Sequence, residues 1–327
     1  MKNLILKILK IIIPIGIGIY LTWYFFSGLD DQQLNQTKES FFEANYFWVF
    51  LGLFVMLLSH VSRSYRWLFL LESLEYKPNF VNAYHAVMAC YVINYTVPRS
   101  GEFARAGLLM SYEKIPFEKS FATIVIERVV DVIMLGLVIF ITGFLQVNSD
   151  DLNQITNTED YTNNKGWLIY LIIGISVIGL IGLIAFFRNQ RFKKFIIDKI
   201  VGFYEGLKSI FLMKKRWSFL AHTIFIWACY IGSIWIFAQA FTETSGITIG
   251  AVFGVFVVGA AAIALLPGGI GAYPSWVNAV LILYGINYAG FGIFIWVVQT
   301  IMTVTLGLLS LFLIQRKTKL IKDEQKI

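Results

Sequence analysis

Long apolar stretches separated by short polar ones set the pattern of this chain. The runs at 11–29, 44–61, 166–187 and 217–241 each approach the roughly 20 apolar residues that a membrane-spanning helix needs. Another run covers 120–145, and no Asp, Glu, Lys, Arg or His occurs between 244 and 315. Two apolar stretches are broken at matching places. One is cut by Val97-Pro98-Arg99-Ser100-Gly101-Glu102, the other by Leu266-Pro267-Gly268-Gly269-Ile270-Gly271. Unwound backbone at membrane depth is tolerated only where protein buries it or where it lines a polar cavity. Pro/Gly interruptions at corresponding positions of two halves point to a transporter-type binding site.

The charges between the runs orient them, because cytoplasmic loops carry an excess of Lys and Arg. Lys2, Lys7 and Lys10 precede the first run, which lacks a small-residue cleavage site and reads as a retained helix. The loops at 28–45 and 146–166 each carry four acids against one lysine and read as external. The basic 188–217 segment and the basic tail read as internal. Parity then makes 80–112 begin and end inside, and 247–286 begin and end outside. The expected fold is an all-α polytopic membrane protein with both termini inside, about six full spans and two re-entrant hairpins. It is one transmembrane domain over 1–327, with inverted-topology repeat halves at about 1–145 and 166–314.

Charge inside the apolar runs is confined to one place. The first tip holds Arg99, Glu102 and Arg105, and the helix after it holds Glu127, Arg128 and Asp131. Facing lipid at the bilayer centre, each would cost roughly 2.5–3.5 kcal/mol. They must therefore face the interior, pair, or line water. Arg128 can pair with Asp131 at i, i+3, and Glu127 shares a face with Asp131 one turn away. The second arm of each hairpin starts at its tip, so a helix N-terminus aims inward at both. Gly268, Gly269 and Gly271 let backbone N–H groups approach a ligand closely. Arg99 and Arg105 turn this toward phosphate, which a guanidinium grips bidentately. The competing reading is a buried ion network that only pins the hairpin to the helix.

Composition adds little beyond exclusions. The chain is 57% hydrophobic and 14% charged, with no stretch polar enough for a soluble domain. Its net charge of +7 resides largely in 188–217, whose apolar residues recur every three or four positions. That describes an amphipathic helix on an anionic leaflet rather than a nucleic-acid surface. Cys90 and Cys229 form no spaced cluster, and His60, His85 and His222 are scattered. Neither a disulfide framework nor a metal site is expected, and no cofactor motif is present. A nucleotide-binding Gly-x-x-x-x-Gly-Lys-Ser/Thr loop is lacking, which argues against direct use of ATP.

Four motifs occur in order: Arg66-Trp67 with Leu70-Leu71, Pro98-Arg99-x-Gly101-Glu102-x-x-Arg105, Glu127-Arg128-x-x-Asp131, and Pro267-Gly268-Gly269-Ile270-Gly271. Together they resemble the lysylphosphatidylglycerol synthase transmembrane-region family of flippase-like integral membrane proteins, over about 10–315. Members with a fused catalytic domain make aminoacylated phosphatidylglycerol, and their membrane domain moves it between leaflets. This chain resembles only the membrane part, without the soluble synthase domain. The resemblance implies a lipid translocase of the bacterial cytoplasmic membrane, not an enzyme, acting on an anionic phospholipid or a polyprenyl-phosphate lipid. The expected substrate site comprises Arg99, Glu102, Arg105, Glu127, Arg128, Asp131, Pro267, Gly268, Gly269, Gly271 and Tyr273. In one respect the chain departs from the pattern: Pro274 stands where the family commonly has an acid, leaving Tyr273 and Ser275 to supply hydroxyls. An intramembrane transferase on a polyprenyl phosphate and a carrier for a small soluble anion are the rival readings, and the oligomeric state is left open.

Overall fold

The computed structural model of the protein describes residues 31–147, apart from 97 and 98, and residues 210–324, with a few positions flanking them. Among these the regular structure is helical. Helices α1 (Asp31–Glu43), α2 (Tyr46–Glu72), α3 (Phe80–Thr96), α4 (Gly101–Glu113) and α5 (Phe117–Val147) form the first part. Helices α6 (Arg216–Ala238), α7 (Ile249–Leu265), α8 (Ala272–Leu283) and α9 (Gly290–Glu324) form the second, with a 3-10 turn at Pro267–Gly269. Helices α2, α6 and the Gly290–Ile314 part of α9 are long and apolar enough to cross a membrane. Bulky apolar side chains such as Phe54, Ile224, Ile301 and Phe312 stay exposed along them, as a lipid-facing surface requires. The chain is a multi-pass helical membrane protein.

Sequence sets the ends of these helices. Asn45 caps α2 by accepting a hydrogen bond from the Phe47 N–H at 3.1 Å. Thr248 caps α7 in the same way, accepting from Ala251 N at 3.3 Å. Helix α7 stops because Pro267 disfavours helical backbone in the residue before it, and Leu266 is extended at φ −121°, ψ 147°. Three glycines then take left-handed backbone, at φ 60° for Gly268, 71° for Gly269 and 73° for Gly271. At the first break Arg99 is itself left-handed (φ 61°), and Asn94 Oδ1 accepts from the Gly101 N–H at 2.8 Å.

The 28–45 stretch, expected to be a loop, contains α1. Its sequence has no Gly or Pro and is rich in Gln and Glu, which disfavour helix little. Thr37 and Ser40 are buried where the helix packs on α9. Apart from a few positions, the expected spans at 11–29 and 166–187, the 146–166 loop and most of the 188–217 linker lie outside the described residues. Where the linker is described, Ile210 and Met213 are buried beside Leu70, Val130 and Phe219.

Helices α2 and α6 run antiparallel along their whole length. Asn45 N donates to Ala240 O at 2.9 Å, Ser62 Oγ meets His222 Nδ1 at 2.7 Å, and Lys215 Nζ pairs with Glu72 Oε2 at 2.8 Å. The α3/α4 hairpin has its base at the Glu72 end, where Phe80 stacks on Tyr65 at 4.2 Å and Asn82 bonds Glu113. The α7/α8 hairpin has its base at the other end, where the following Tyr288 packs on Phe241 at 5.3 Å. The tips meet in between. Helix α3 packs on α9 and α7 on α5, while α4 packs on α5 and α8 on α9. Exchanging the two parts maps these contacts onto one another.

Candidate functional site: an arginine–carboxylate network beside two meeting tips

Three helices deliver seven charged side chains to one place. Arg63 and Arg66 come from α2, Glu102 and Arg105 from α4, and Glu127, Arg128 and Asp131 from α5. Arg66 sits at the centre, with Nη2 3.1 Å from Glu127 Oε1 and 2.9 Å from Asp131 Oδ1. Its Nη1 donates to Thr223 Oγ1 on α6 at 3.3 Å. Arg63 Nη1 reaches Asp131 Oδ2 at 2.9 Å, and Arg105 Nη1 lies 2.8 Å from Glu127 Oε2. Arg128 spans Glu102 Oε1 at 3.1 Å and Asp131 Oδ2 at 3.5 Å. Trp67 lays its ring 3.7 Å from the Arg105 guanidinium carbon and is itself anchored through Nε1 to Thr123 Oγ1 at 2.8 Å. That stacking uses the flat face of the guanidinium, which a lysine lacks.

The network has a sealed interior and an open edge. The side chains of Arg66, Arg105 and Glu127 are at most 1% exposed, whereas Glu102 is 20% and Arg128 41% exposed. So the structure brings Glu102, Arg105, Glu127, Arg128 and Asp131 together and leaves Arg99 apart. Arg99 is exposed and makes no ion pair among the described residues. One expectation changes, while the expected i, i+3 pairing of Arg128 with Asp131 is present. Arg105 is enclosed against Glu127 and Trp67, so gripping a ligand directly would require that pair to open. Arg128 takes Glu102 and Asp131 as partners, while Glu127 holds Arg66 and Arg105. Arg63 and Arg66, which the sequence places at the cytoplasmic end of a span, are the residues that reasoning missed. Their signal was present: both fall on one face at i, i+3, and Arg66-Trp67 is one of the ordered motifs. Their inclusion makes four guanidinium groups against three carboxylates.

The second tip is buried and free of charge. Pro267, Gly268, Gly269, Gly271 and Tyr273 are all buried there. Two backbone donors are already used in the turn, Gly269 N to Leu266 O at 3.0 Å and Ile270 N to Pro267 O at 3.3 Å. Trp296 Nε1 donates to Gly268 O at 2.8 Å, and Ser275 Oγ to Gly271 O at 2.7 Å. The Tyr95 ring, from the first hairpin, covers Gly268 so closely that a Cβ there would lie 2.2 Å from its Cε1. The Tyr95 hydroxyl meets Thr300 Oγ1 at 3.4 Å, and Tyr273 lies beside Gln299. One face of the proposed backbone cradle is thus closed by a side chain of the opposite hairpin. His60, its ring tilted against Tyr91 at 4.9 Å, is 5% exposed with neither ring nitrogen hydrogen-bonded.

A family model for the lysylphosphatidylglycerol synthase TM region matches residues 11–310. The chain belongs to that family. It is also similar to a UPF0104 membrane protein of Methanocaldococcus jannaschii, at 31% identity over 186 residues, 52% of this chain and 54% of the relative. The chain thus matches about half the length of that relative. No solved structure matches it. In this member of the lysylphosphatidylglycerol synthase TM region family, all four ordered motifs converge: Arg66-Trp67, the first tip and Glu127-Arg128 through the network, and the glycine tip through Tyr95. Chemically, the open edge offers Arg128 to an anion while Glu102 and Asp131 hold it in place. Among the described residues no group of His, Cys, Asp and Glu is arranged to hold a metal ion.

Proposed function

We propose that this protein is an ATP-independent translocase, not an enzyme, that carries the headgroup of an anionic phospholipid or polyprenyl-phosphate lipid across a cytoplasmic membrane. The observation that carries this reading is the meeting of two broken hairpins, based at opposite ends of the bundle, beside an arginine-rich network with an open edge. Unwound backbone and unexposed charge are both costly at membrane depth, and a translocation route gives both a role. On this reading the hairpins are re-entrant and the two parts form an inverted-topology repeat, with both termini cytoplasmic. The antiparallel pairing of α2 with α6 supports it, since equivalent helices of an inverted repeat run in opposite directions. Arg99, exposed and apart from the network, draws the headgroup to the opening, Arg128 meets the phosphate, and Glu127 holds Arg66 and Arg105 as the rigid floor. The tips part to let the headgroup pass while the hydrocarbon tails stay in lipid.

Reconstitution tests this directly. Purified protein in vesicles carrying a fluorescent anionic phospholipid is expected to make the inner-leaflet pool accessible to an impermeant quencher without nucleotide. The double substitution Arg99→Gln/Arg128→Gln should slow this while the protein still runs as a single folded species. Parental rates in the double variant would remove the arginines from the route.

A further inference from the structure

The charge balance of the site selects among lipids. Four guanidinium groups (Arg63, Arg66, Arg105, Arg128) face three carboxylates (Glu102, Glu127, Asp131), so the network keeps one positive charge unmatched. Buried donors in it are also left without hydrogen-bond partners: Nε of Arg63 and Arg128, and Nε and Nη2 of Arg105. The other side of the meeting point carries no charge at all, since residues 244 to 315 contain no Asp, Glu, Lys, Arg or His. What it offers instead is hydroxyl, amide and indole groups, Thr300, Tyr273, Gln299 and Trp296, joined by the Tyr95 hydroxyl of the first hairpin.

Resting on the translocase reading, we infer that the substrate headgroup is a phosphodiester monoanion whose substituent carries hydroxyls and no ammonium group. One negative charge completes the network's balance. A phosphomonoester dianion overshoots it. An ammonium group, as on a zwitterionic or aminoacylated lipid, finds no carboxylate on the second side, and the three on the first side are already held by arginines. An unpaired charge in such surroundings is strongly disfavoured, whereas a hydroxyl exchanges hydrogen bonds with Tyr, Thr and Gln side chains on equal terms. The family takes its name from a lysylated lipid, whose headgroup carries ammonium groups on its lysyl part. The charge on this chain's site points instead to the unlysylated kind.

The test is a panel of acyl-labelled lipids in vesicles holding the full-length protein: phosphatidylglycerol, phosphatidic acid, phosphatidylethanolamine and lysylphosphatidylglycerol. Phosphatidylglycerol is expected to cross about tenfold faster than each of the other three, the equivalent of about 1.4 kcal/mol. Equal rates for phosphatidylglycerol and phosphatidylethanolamine, or faster transfer of the lysylated lipid, would overturn the inference and leave the translocase reading standing. Transfer of none would overturn both. The variant Arg128→Gln removes the unmatched charge at the exposed edge, so the preference for phosphatidylglycerol over phosphatidylethanolamine should fall toward unity. This ratio is insensitive to how much protein folds, and an unchanged ratio would also overturn the inference.

Discussion

If the two hairpin tips hold each other closed, a methyl group at Gly268 should wedge them apart. The substitution Gly268→Ala has two separable effects. Its backbone sits at φ 60°, where a side chain costs roughly 1–2 kcal/mol. Its Cβ would also lie 2.2 Å from Tyr95 Cε1 and 2.4 Å from Cδ1, well inside contact distance. Overpacking of this kind typically costs about 1–3 kcal/mol, so the total is about 2–5 kcal/mol. Replacing Tyr95 with Ala removes the obstacle and leaves the backbone strain, so in that background Gly268→Ala should cost only about 1–2 kcal/mol. The difference is a coupling energy between residues of opposite hairpins, measurable as a double-mutant cycle on unfolding in detergent micelles. Two results would refute the reasoning. One is a Gly268→Ala protein as stable as the parent. The other is the same loss with and without Tyr95, which would mean that the tips do not touch.

Other outcomes follow from the same geometry. Glu127→Gln removes the carboxylate paired with buried Arg105 and one of the two paired with buried Arg66, and should destabilise by about 3–5 kcal/mol in the same unfolding assay; a loss under about 1 kcal/mol would mean that the network is more hydrated than its burial implies. Arg99→Gln, at an exposed position without an ion pair among the described residues, should shift stability by no more than about 0.5 kcal/mol while slowing anionic lipid transfer. Cysteines introduced at Ser149 and Ser245 should react with an impermeant maleimide from outside intact cells and one at Ser209 should not; labelling at 209 would reverse the proposed orientation. The native Cys90 and Cys229 are buried and should contribute little background.

What was legible in the sequence is what membrane solvent enforces locally. Apolar runs of spanning length, the break at Pro267 and the left-handed glycines after it each follow from one short stretch, because bilayer thickness and proline geometry act on neighbours along the chain. The acidic 28–45 stretch misled because charge and polarity mark the water side without saying whether the backbone there is coiled, and α1 gains its order from α9, far away in sequence. The ion network failed to read for a related reason. Arg63 and Arg66 look like ordinary anchors at the end of an apolar run, and nothing near them in sequence supplies a carboxylate partner. Their partners, Glu127 and Asp131, lie more than 60 residues on. Only the antiparallel packing of α2 on α6, and of α5 alongside, decides that these arginines point inward rather than toward lipid headgroups. That same packing turns three cations against three acids into a network with an unmatched guanidinium, and on the proposed reading this unmatched charge sets the preference among lipids.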